Sequence, residues 1–165
     1  MTLTVTNEQL GLLLQLARDF AFGQMSEGKR LVPFAARMPV EGEIDFIRFV
    51  DESTVLPLGE VYARTQGALR RQVRQGELLG VATVATVQAP EADLGKGFTQ
   101  AVRVHVEAPG FSRQMLTPFR VEPGTAGALG KLVTGEMIVL AADPVAFDMT
   151  QPDEPDSAPR VFHLT

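Results

Sequence analysis

Arg103, His105 and Glu107 occupy alternate positions of the stretch 101–108, AVRVHVEA. In an extended chain, alternate side chains share one face at a spacing of about 7 Å. An imidazole between a guanidinium and a carboxylate is a set that could move a proton or sense pH. A two-residue turn at Pro109 and Gly110 would pair His105 with Gln114, Val104 with Met115 and Arg103 with Leu116. Arg103, His105, Glu107 and Gln114 are therefore the candidate ligand-binding residues. The simpler expectation is that they form the solvated face of an antiparallel sheet, held by cross-strand polar pairs. Val102, Val104 and Val106 take the opposite, buried face.

Several chemistries are absent. The chain has no cysteine, which excludes disulfides, thiolate nucleophiles and cysteine-ligated metals. Its two histidines, His105 and His163, lie far apart, and neither sits in a catalytic or metal-binding motif. The Gly95-Lys96 pair lacks the upstream glycine and the following Ser or Thr of a phosphate loop. Asp51 and Glu52 read as a solvated turn. No catalytic residue, metal ligand or cofactor is assigned. A net charge of −5 argues against a nucleic-acid binder. Arg70, Arg71 and Arg74 form the densest basic group, and they read as the wet face of a helix. The opening residues have no leader-like pattern, and no apolar run approaches the roughly 18 residues of a membrane span. The expectation is a soluble, cytoplasmic protein.

The elements that must position the candidate residues follow in order. Residues 6–22 form a helix with Leu10, Leu13, Leu14, Ala17, Phe20 and Ala21 at helical spacing. Thr6 and Gln9 fit a capping box, and Gly23 is the expected stop. Leu12 and Leu16 widen its apolar face. After a polar connector, residues 31–38 and 44–50 form a hairpin, with Pro33 suited to an edge strand or the first residues of one. Apolar residues on both faces of 44–50 predict cover on both sides. A polar break at 51–54 leads to a second helix, 58–75, ended by Gly76. Strands follow at 79–88, 101–108 and 112–121, and Pro118 implies an edge or bulge in the last. Residues 137–142, MIVLAA, fit a strand or a buried helix equally well.

The order helix, hairpin, helix, three-strand meander describes an α+β domain: about five antiparallel strands with helices on one face, over residues 1–150. It resembles roadblock-like and profilin-like domains in architecture alone, without a shared motif. Residues 151–165 form an acidic, proline-rich tail, extended over 151–160 and ending on the apolar run 161–164. The missing motifs and the broad apolar helix point to a non-catalytic interaction or regulatory module. Its partners would be a second copy, through the first helix or the Pro33 strand, and possibly another protein, but neither nucleic acid nor membrane. The alternative is a small-molecule binder or an unrecognised enzyme with a pocket between sheet and helices.

Overall fold

The computed structural model describes residues 5–41, 43–50, 56–124, 130–148, 150 and 161–164. The Asp51–Glu52 turn and the extended segment 151–160 lie outside these residues. Helix α1, Asn7–Ser26, opens on the expected capping box. The Gln9 amide donates to Thr6 Oγ1 at 3.1 Å, and the Thr6 amide donates to Gln9 Oε1 at 2.9 Å. The helix runs on through Gly23 instead of stopping there. Phe22 and Met25, in its last turns, pack on the core, and that tertiary contact outweighs the weak helix propensity of glycine.

Strands β1 (Phe34–Pro39) and β2 (Asp45–Arg48) form the expected hairpin, with Arg37 opposite Asp45. Helix α2, Leu58–Arg74, follows and is closed at Gly76, whose φ of 76° suits glycine. Strand β3 spans Leu78–Gln88, and a one-turn helix α3, Glu91–Leu94, leads to β4, Gln100–Ala108. The turn at Pro109 and Gly110 joins β4 to β5, Phe111–Glu122. Three short strands complete the described chain: β6 (Lys131–Thr134), β7 (Ile138–Ala141) and β8 (Phe162–Leu164).

Among the described residues the sheet is antiparallel and has eight strands instead of about five, in the order β6-β5-β4-β3-β1-β2-β8, with β7 also on β5. This order does not support the roadblock- and profilin-like resemblance. β1 is an interior strand, so of the two placements Pro33 takes the strand's start and not a sheet edge. β8 extends the sheet from β2, which joins the end of the acidic tail to the fold.

Helices cover both faces of the sheet, contrary to the one-face expectation. Leu13, Ala17 and Ala21 of α1 pack with Phe34, Ala36, Val84, Val102, Val104 and Val106. Ala68, Leu69 and Val73 of α2 pack with Ala35, Ile47 and Val81 on the other side. Adjacent residues Ala35 and Ala36 of β1 enter different cores, so each face needs its own cover. The broad face of α1 is largely used within the chain. Leu10, Leu14, Phe20 and Phe22 are partly buried against the core, and Leu12 alone of its leucines stays 48% exposed.

Pro118 lies inside β5, at the point where its outer neighbour changes from β7 to β6. Its carbonyl accepts the Gly135 amide at 2.8 Å, on that outer side. The missing proline N–H points the same way, so the ladder to β4 loses nothing. The pairing slips by one residue between β6 and β7, which makes them one edge strand broken by a bulge near Gly135.

Candidate functional site

The β4–β5 hairpin has the anticipated register: His105 opposite Gln114, Val104 opposite Met115, and Arg103 opposite Leu116. The valine face is buried beneath α1 as expected. The polar face is not solvated. His105 is 1% exposed and Glu107 is fully buried, under α2 and the segment 143–148. Alternation along β4 required only that its two faces differ; a helix laid over the polar one makes it a second interior.

Tyr62 and Gln66, one helical turn apart on α2, meet this face. The Arg103 guanidinium lies over the Tyr62 ring, 4.1 Å from its centre. The Gln66 amide nitrogen approaches Tyr62 Oη and His105 Nδ1, both at 3.4 Å. The other ring nitrogen, Nε2, stands 2.7 Å from Ser112 Oγ, so the imidazole joins α2 to β5. Burial pushes the His105 pKa below its usual value, with Glu107 opposing and Arg103 assisting, so the ring is neutral at neutral pH. Burial likewise raises the Tyr62 hydroxyl, against the pull of Arg103.

Glu107 serves a different structure. Its carboxylate accepts the backbone amides of Val145, Ala146 and Phe147, at 2.5, 3.1 and 3.4 Å. Arg70 holds the other side of that segment, its Nε donating to the Val145 carbonyl at 2.9 Å. Arg74 reaches the Asp148 carbonyl at 3.4 Å. Arg70 and Arg74 are therefore half-buried anchors and not the solvated face anticipated for them. Asp148 is held below the usual carboxylate range, chiefly by the Thr150 hydroxyl and amide.

Arg103, His105 and Glu107 thus come together, while Gln114 shares only their backbone register and makes no side-chain hydrogen bond among the described residues. Sequence reasoning missed Tyr62, Gln66, Ser112 and the 143–148 amides. Ser112 was within reach, since the same turn register sets it opposite Glu107. Tyr62 falls among the apolar positions of α2, beside Leu58, Val61, Ala68, Leu69 and Val73, so nothing in the sequence marks it for this face. Two buried polar atoms of this layer, Thr83 Oγ1 and Arg103 Nε, have no hydrogen-bond partner among the described residues.

Chemically, Ser112 and His105 are spaced like a nucleophile and its base, but their surroundings differ from those of such a pair. A base must present a lone pair to the hydroxyl. Here Nδ1 faces the Gln66 amide group instead of a carboxylate, and both residues are buried. His163 lies elsewhere, exposed on β8, with Nδ1 3.8 Å from Asp45. No group of three or more His, Cys, Asp or Glu among the described residues is placed to hold a metal ion. No helix among them is long and apolar enough to cross a membrane. Comparison with protein-family models, with curated proteins and with solved structures finds no match to this chain.

Proposed function

We propose that this chain is a non-catalytic interaction module that self-associates, and that the outer edge of β7 is its contact with a second copy. The observation that carries this reading is the character of that edge. Among the described residues no strand pairs with β7 on its far side. Met137, Val139 and Leu140 are 36%, 55% and 43% exposed, on both faces of the strand. Edges left open in water are ordinarily guarded by charge or proline. Residues 137–142 contain neither.

Pairing with β5 turns the backbone groups of Ile138 and Leu140 inward, which leaves those of Val139 and Ala141 facing outward. A two-fold axis at Val139 would pair these outward groups with those of a second copy. It would set Met137 against Ala141 and Ile138 against Leu140, and it keeps Glu136 and Asp143 from facing each other. Such a contact is self-complementary, as a two-fold dimer requires. The closed packing around His105 supports the non-catalytic part of the reading, because His105 meets Gln66 of α2 and Glu107 holds the amides of 145–147.

Sedimentation at micromolar concentration tests the proposal. The wild-type chain is expected to sediment as a dimer, and Val139→Lys as a folded monomer. A wild-type monomer throughout that range overturns it. A second reading, small-molecule binding, is favoured by one observation: a cavity between α1 and the sheet, remote from His105.

A further inference from the structure

We infer that this cavity is a binding site for a small organic monoanion with an apolar body, of the kind presented by a medium-chain or aryl carboxylate. The inference rests on the small-molecule reading and is independent of the β7 contact. The cavity measures about 360 Å³, within the range of ligand sites, and opens where α1 ends while the sheet continues beyond it. Met25, Leu31, Phe119 and Val121 give it an apolar wall. Val121 is 58% exposed, the largest value among the exposed large apolar residues, so apolar surface is left uncovered at this wall.

The charge at the mouth has one sign. Lys29 and Arg30 line it, and no lining residue among the described ones is acidic. Lys29 is partnered by Glu27 at 3.1 Å, but Arg30 makes no ion pair or hydrogen bond among the described residues. A guanidinium offers paired donors suited to a carboxylate. Thr86 and Gln100 add neutral hydrogen-bonding groups. Gly130 completes the wall, and a Cβ there would collide with the Glu122 carbonyl oxygen and the Val121 side chain. Glycine is thus what lets the start of β6 close against β5 beside the cavity. An apolar wall with one free cation at its rim selects an amphipathic anion over a neutral analogue or a short acid.

Calorimetric titration of the full chain with octanoate, octanol and acetate tests this, with amide chemical shifts locating the site. Octanoate is expected to bind saturably, about tenfold tighter than octanol, with acetate silent. Arg30→Ala should remove the preference for octanoate over octanol without changing the melting temperature. Val121→Trp, which fills the cavity and provides a fluorophore in a chain lacking tryptophan, should abolish binding of both while the circular dichroism is kept. Failure of octanoate to bind, equal affinity for octanol, shifts that map away from Met25, Thr86 and Phe119, or binding untouched by Val121→Trp each overturns the inference. None of these results bears on sedimentation, so the β7 proposal stands or falls separately.

Discussion

His105 Nε2 and Ser112 Oγ face each other across 2.7 Å on adjacent strands. The relationship is a structural hydrogen bond beneath α2. Ser112→Ala would leave the buried Nε2 of His105 without its partner, at a cost of about 1–3 kcal/mol. Urea unfolding measures this directly. Unchanged stability would mean that Ser112 is not the partner of His105.

Neutral burial of His105 makes stability depend on pH. Its folded pKa lies below the usual 6.5, so the unfolded chain binds the proton more readily. Stability is retained above about pH 6.5 and falls as pH drops through that value toward the folded pKa. Asp148, also depressed, acts only at lower pH, below the ordinary carboxylate value of 3.8. Melting temperatures between pH 7.5 and 5.5 should fall for the wild type and stay flatter for His105→Gln. Parallel profiles would contradict the assignment.

Glu107 ties β4 to residues about 38 positions later through the Val145, Ala146 and Phe147 amides. Glu107→Gln keeps the shape but replaces an accepting oxygen with a donor. It should cost about 1.5–3 kcal/mol and raise amide exchange over 145–147. Exchange confined to its wild-type rate would show that the segment is held by Arg70 and Arg74 instead.

Thr83 carries a buried hydroxyl with no partner among the described residues. Thr83→Val removes a polar group that burial penalises and keeps the branched shape. It should be neutral or stabilising by about 1 kcal/mol. Clear destabilisation would reveal a partner for that hydroxyl.

Local signals were legible in the sequence. The Thr6–Gln9 box, Gly76 and the Pro109-Gly110 turn specify their structures within a few residues, and the turn alone fixed the register from Arg103 to Leu116. Long-range choices were not legible. Nothing near Gly23 announces that Phe22 will reach Phe119, with ring centres 6.4 Å apart, and carry α1 onward. Nothing in AVRVHVEA distinguishes a wet polar face from one sealed by a helix. The same limit applies to Glu107, whose partners are backbone amides and leave no trace in side-chain identity. Residues 137–142 were ambiguous because a four-residue apolar strand has no period of its own. Of the candidate site, the strand and its facing were legible, while its lid and its burial were not.

The exposed edge of β7 carries the central claim, and hydrogen exchange of its amides at two protein concentrations tests it most directly. The Val139 and Ala141 amides point away from β5, and the Ile138 and Leu140 amides point into it. If a second copy pairs there, Val139 and Ala141 become protected as concentration rises, while Ile138 and Leu140, already bonded, change little. Val139→Lys removes the concentration dependence at Ala141. Fast, concentration-independent exchange at Val139 and Ala141 in the wild type would contradict self-association through this strand.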